Sequence, residues 1–224
     1  AGELVIEELI HESKYQHFVV VAERPELEEL PLFKRNENRV FVLHGDFTRL
    51  DVLKQAGVDR ASVAILLADD SKQERTLQDR DARTVLGAML IEKLNEGIYT
   101  TVQLHNRDNE TSLRRVGVEE VIVSDEYVGN IMASVVRNRG IVSVLDELLT
   151  AKRGHQFYKS DVPKKLVGKT VGEAMQILKS DYDCTLIAID RGGGAHNIVV
   201  NPSNDVVLEA DYKIMVAGES APKV

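Results

Sequence analysis

Five short strand-like runs between His17 and Val123 constrain this chain more than any other feature. They read HFVVVA (17–22), VFVL (40–43), VAILLA (63–68), YTTVQL (99–104) and VIV (121–123). The first three are nearly continuous apolar stretches, the pattern of strands covered on both faces rather than of a half-exposed sheet. Polar, helix-compatible sequence separates each run from the next. Strands alternating with helices through short connections predict an α/β fold, a doubly wound Rossmann-like parallel sheet.

The intervening helices carry readable ends. Leu4, Val5, Ile6, Leu9 and Ile10 mark an amphipathic helix over residues 3–10. Thr48 followed by Asp51 resembles a capping box, and Gly57 is placed to stop the helix it opens. Ser71 is positioned to cap a helix from about Lys72 to Asn95, with Leu77, Val85, Ala88, Met89 and Ile91 facing inward and Gly97 at its end. Leu113, Val116 and Gly117 repeat the pattern. A doubly wound nucleotide fold sets its first strand at the centre of the sheet and follows it with a Gly-rich turn. This sequence opens directly in a helix, so that strand is expected upstream of Ala1, with Gly2 the candidate last glycine of its turn.

Past the fifth run, DEYVGNIMASVVRN (125–138) and IVSVLDELLTA (141–151) read as amphipathic helices joined at Gly140. A DNA-reading second helix needs basic residues in its first turns; this one carries Asp146 and Glu147, and its first cation is Lys152. With a net charge of -8, nucleic acid is not an expected partner, and the apolar surface is expected to pack on another subunit. From His155 the strand-like runs HQFYKSDV, CTLIAID, HNIVVN and YKIMVAG surround one helix, Val171–Lys179, as in a small α+β lobe. Three segments follow: 1–124, a Rossmann-like lobe lacking its first strand; 125–151, a crossover helix pair; and 152–224, the C-terminal lobe. Cys184 is the single cysteine, which excludes an intramolecular disulfide framework and a Cys-based zinc cluster and fits a reducing compartment. No apolar run approaches the ~20 residues of a membrane span.

An ordered set of motifs resembles the regulator of potassium conductance (RCK) domain: HGDFTR after the second listed run, VDRASVAILLADD, HNRDNETSLRRVGVEEVIVSDEYVGNIMA, then VPKKLVGKTVGEAM, IAIDRGGG and NPSNDVVLEADYKIMVAG. The resemblance covers essentially the whole chain. It implies a cytoplasmic ligand-sensing module at the membrane's cytoplasmic face, with no catalytic step, in a homo-oligomer of dimers built into a ring, by family precedent up to an octamer. The ring would act through a hinge on a potassium pore carried by the same or a separate polypeptide. Two alternatives remain beside it: a fragment of a dinucleotide-dependent oxidoreductase, and an oligomerisation module indifferent to ligands.

Candidate site residues lie where the runs end, at the carboxyl edge at which open α/β sheets bind ligands. Glu23 stands where dinucleotide folds place an acid against the adenosine ribose hydroxyls, and Asp46 ends the next run. With Ala68 and Asp69 they form the expected nucleotide set, for NAD or ADP/ATP. Asp46, Asp69, Asp70 and Glu74 form the expected set for Ca²⁺ or another divalent cation, since hard oxygen ligands from adjacent loops suit it; family members with acids here for Ca²⁺ support that set. The bland reading is that Asp46 is a turn acid and that the other three answer a helix dipole. His44, His105 and His196 lack zinc spacing. Arg107 reads as a loop arginine, Gly192–Gly194 as a hairpin connection and Cys184 as structural.

Overall fold

The computed structural model describes residues 2–11, 17–68, 76–150, 154–193 and 197–223. The chain forms two units, Ala1–Arg137 and Asn138–Val224. In the first, β1 (Phe18–Ala22) runs parallel to β2 (Val40–His44), in register from Phe18 against Val40 to Ala22 against His44. A second parallel sheet has the order β3 (Val63–Leu66), β4 (Tyr99–Leu104), β5 (Glu120–Val123). The helices of this unit are α1 (Gly2–His11), α2 (Pro31–Arg35), α3 (Leu50–Gln55), α4 (Leu77–Leu94), α5 (Glu110–Arg115) and α6 (Ser124–Arg137). All five expected strands are present. Leu53, Leu66, Ala88, Ile91, Val102 and Leu113 belong to the core that fixes the helices to the larger sheet.

The two sheets do not pair with each other. Between β1 and β3 lies a cleft of about 1320 Å³, walled by residues 17–24 on one side and 61–68 on the other, with Val5, Ile6 and Leu9 of α1 also lining it. A Cβ at Gly2 would lie 3.2 Å from Leu67 Cδ1, so α1 starts just past the end of β3, at the carboxyl edge. The cleft separates the two parallel sheets of this unit. Val19 and Ile65 are consequently exposed although they sit on strands of continuous apolar character.

Local details differ from the sequence expectation in three places. The Thr48–Asp51 capping box does not form: α3 begins at Leu50 with Arg49 at its N-cap, because Thr48 donates its N–H and hydroxyl to Asp46 while Asp51 pairs with Arg49. Gly57 is left-handed, at φ 78°, as a stop signal requires. The long helix is capped by Thr76, not Ser71, through a full capping box with Asp79; Ser71 lies outside the described residues. Its inward face is only partly the expected one: Ala88 and Ile91 are in the core and Val85 packs against it. Leu77 and Met89 are exposed, whereas Asp81, Thr84, Gly87, Ala88, Ile91 and Glu92 are buried. Asp81 earns its burial by accepting the backbone N–H groups of His105 and Asn106 at 3.0 and 2.9 Å. Gly87 lets Phe47 and Leu66 approach, since a Cβ there would lie 2.8 Å from Phe47 Cδ2.

The second unit contains α7 (Ile141–Leu149), β6 (Gln156–Asp161), α8 (Val171–Tyr182), β7 (Thr185–Asp190), β8 (Ile198–Val200) and β9 (Lys213–Gly218). Its antiparallel sheet has the order β6-β9-β7-β8, with a bulge in β7 at Leu186–Ala188. Thr170 caps α8 in a box with Glu173, and Leu166, Val171, Leu178, Ile189, Ile214 and Val216 are fully or almost fully buried. β7 and β8 are antiparallel neighbours, as a hairpin connection requires, and Gly192 N–H donates to Asp190 Oδ1; Gly194 and His196 lie outside the described residues. Cys184 is buried with its thiol toward the Tyr182 and Ser220 carbonyls, and burial pushes its pKa up.

Glu92 makes a testable demand on the first unit. Burial raises its pKa and the neighbouring Glu119 adds to the rise, and a Cβ on Gly117 would lie 2.6 Å from Glu92 Oε2. A raised folded-state pKa means the folded state holds the proton more tightly. Its contribution to stability is full below the unfolded pKa and is lost as pH rises through the folded one. Glu92→Gln is therefore expected to raise the urea midpoint at pH 8 and to lose that advantage near pH 4, measured by urea unfolding across the range.

Candidate functional site: the carboxyl edge of the open sheet

β1 and β2 end level with one another, and the pairing continues one step further as Gly45 N–H donates to the Ala22 carbonyl at 3.0 Å. Glu23 and Asp46 follow these ends. Glycine is needed between β2 and Asp46 because a Cβ at Gly45 would lie 2.8 Å from Val52 Cγ1. Asp46 Oδ1 then accepts Thr48 N–H at 2.9 Å and Thr48 Oγ1 at 2.7 Å, an Asx-type turn that fixes the carboxylate.

Arg83 reaches this carboxylate from α4. Its Nη2 donates to Asp46 Oδ1 at 2.8 Å, Nη1 approaches Oδ2 at 3.4 Å, and Nη2 lies 3.5 Å from Glu23 Oε1. The guanidinium also sits over the Phe47 ring, 5.3 Å from its centroid. Arg83 and Asp46 are half-buried, with side chains 21% and 27% exposed, and Glu23 sits at the exposed rim of the crevice. Partial burial works to raise the Asp46 pKa, but the hydrogen bonds from Thr48 and the pairing with Arg83 outweigh it and hold the group at about 2.

Of the expected nucleotide set, Glu23 and Asp46 are brought together through Arg83. Ala68 lines the cleft with its N–H toward Gln103 Oε1 at 3.4 Å. Asp69 lies outside the described residues, as do Asp70 and Glu74 of the expected metal set. Asp46 is thus the one member of that set on view, and its carboxylate is engaged by a guanidinium; among the described residues no group of three or more His, Cys, Asp or Glu side chains is placed to hold a metal ion. Arg107 pairs with Glu126 and Glu110, tying the turn after β4 to the start of α6. His44 faces Glu28 at 2.9 Å. Sequence reasoning missed Arg83. No local signal marks it: Arg83 is the seventh residue of α4, past the first turn in which the helix dipole acts.

Residues 1–124 match the TrkA-N domain and residues 159–222 the TrkA-C domain. The chain belongs to the TrkA-N domain family. Its TrkA-N and TrkA-C segments follow one another as the RCK resemblance requires. Among characterised relatives, the calcium-gated potassium channel TvoK of Thermoplasma volcanium is 22% identical over 214 residues, 92% of this chain and 60% of TvoK. The probable ion channel POLLUX of Oryza sativa subsp. japonica is 26% identical over 171 residues, 75% of this chain and 17% of POLLUX. The TrkA-N/TrkA-C chain thus spans under two thirds of either relative. The human SLO3 gating ring shares the fold, with a TM-score of 0.72 at 15% identity over 98% of this chain and 42% of that one. No helix among the described residues is long and apolar enough to cross a membrane.

The depressed Asp46 pKa fixes a sign. A carboxylate held below its unfolded value contributes stability that is present above pH ~4 and lost as pH falls toward 2. Asp46→Asn is expected to cost roughly 1–2 kcal/mol at pH 7, and to flatten the acid limb of the stability profile, measured by chemical denaturation from pH 7 to pH 2.

Proposed function

We propose that this chain is a ligand-sensing regulatory module that controls potassium flux through a channel or transport system, working as an oligomer at the cytoplasmic face of the membrane. The carrying observation is the carboxyl-edge crevice in which Glu23 and Asp46 converge on Arg83 within a TrkA-N and TrkA-C chain. Support comes from relatives named as ion channels and from the fold shared with a gating ring. Glu23 at the end of β1 offers the hydrogen-bond acceptor that an adenosine ribose needs, so an adenine nucleotide, NAD or ADP/ATP, is the first ligand reading. A divalent cation is the second, favoured by the calcium gating in the name of TvoK. Either acts only if it binds two arrangements of the oligomer with different affinity, since equal affinity shifts nothing.

The oligomer reading rests on two helices. α6 has no buried residue and exposes Tyr127, Val128, Met132 and Val136, the last at 84%. α7 likewise has none, and exposes Val142, Val144 and Leu149. Apolar surface of this extent on helices supports a subunit contact. A Met132→Glu, Val136→Glu variant of the full-length protein is expected to shift the species seen by analytical ultracentrifugation toward monomer; an unchanged assembly removes α6 from the interface.

The sensing claim is tested on the full-length protein by thermal shift with NAD, ADP, ATP, Ca²⁺ and Mg²⁺. A ligand at 100 times its Kd adds about 2.7 kcal/mol, a rise of several degrees in Tm, and Glu23→Ala is expected to abolish the rise for a nucleotide. If no ligand raises Tm, the ligand-independent oligomerisation module is what remains.

A further inference from the structure

The polar chemistry of the crevice is unusual in having its positive charge built in. Two carboxylates from the ends of adjacent strands would ordinarily invite a divalent ion, which seeks six to eight oxygen ligands for Ca²⁺. Here Arg83 already lies 2.8 Å from Asp46 and 3.5 Å from Glu23. Asp46 Oδ1 receives three donors, Thr48 N–H, Thr48 Oγ1 and Arg83 Nη2. That oxygen has no capacity left for a metal. The guanidinium is in turn seated on Phe47, and Gly87 on the same helix gives that ring its space. A planar, permanently charged fork held this way is a fixed part of the crevice rather than a wandering surface cation.

We propose that Arg83 is a specificity-determining residue: its guanidinium holds the place of a divalent cation between Glu23 and Asp46, and so biases the crevice toward a neutral polyhydroxyl ligand such as a ribose over a bare divalent ion. A divalent ion entering here must displace Arg83 or sit against its charge. A ribose hydroxyl brings no charge and donates to a carboxylate that keeps its guanidinium. The inference rests on the crevice being the ligand site, and it names the residue that sets the choice there.

The test is calorimetric titration of Ca²⁺ into the full-length protein and its variants. Arg83→Gln is expected to bind Ca²⁺ at least roughly tenfold more tightly than the wild type, the ratio that one charge-assisted pair imposes. Adding Asp46→Asn to Arg83→Gln is expected to remove the gain. Arg83→Lys keeps the charge but loses the fork, and should fall between wild type and Arg83→Gln. Unchanged or weaker binding by Arg83→Gln overturns the proposal, as does a gain that survives Asp46→Asn. If Arg83→Gln does not fold, Arg83→Lys decides: tighter binding than wild type supports the proposal and equal binding overturns it. The two readings fail separately. Nucleotide binding by the wild type with no Ca²⁺ gain in Arg83→Gln sinks the specificity role alone, and the reverse pattern sinks nucleotide sensing alone.

Discussion

β1 and β3 face each other across an open cleft, each paired on one side only, and much of the first unit follows from that. Parallel strands rely on neighbours on both edges and on helices over both faces, so an unpaired pair of edges leaves backbone groups and apolar side chains without cover. α1 brings Val5, Ile6 and Leu9 to line this space but buries none of its own residues. Polar closure is found at the carboxyl edge, where Arg83 on α4 reaches the acids that follow β1 and β2. The ion pair links the smaller sheet to the helix that packs on the larger one.

Glu23, Asp46 and Arg83 are carried by three different elements, so their ion pairs tie the smaller sheet of the first unit to the helix on the larger one. The second unit is built differently, as an antiparallel sheet with one helix over a separate core, and its polar features serve the fold: the Thr170–Glu173 box, the Asp190 turn acid, the buried Cys184. The exposed helices α6 and α7 supply surface rather than chemistry.

Much of the architecture was legible because strand-forming runs alternate with helix-compatible polar sequence, and all five strands of the first unit formed where the runs stand. Gly57, Gly117 and Gly140 were legible as stops because each adopts a left-handed backbone that only glycine enters cheaply. The face of α4 was legible only in part. Ala88 and Ile91 were read correctly as inward, but Asp81, Thr84 and Gly87 are buried beside them, which apolar periodicity cannot find, while Leu77 and Met89 are exposed. Thr48 and Asp51 misled for a related reason: each had a nearer partner than the helix end, Asp46 for one and Arg49 for the other.

The sequence by itself determined the order of strands and helices, the parallel character of the first sheet, the place of Glu23 and Asp46 at strand ends, and the family, because these depend on local periodicity and on motifs contiguous in the chain. The tertiary structure alone decided that an arginine 37 residues beyond Asp46 would neutralise it. Pairing at that separation is set by how α4 packs beside the ends of β1 and β2, through Gly87 against Phe47 and Asp81 against the end of β4. No local pattern encodes that approach, and it is what turns two strand-end acids from a bare cation site into a crevice with its own counter-ion.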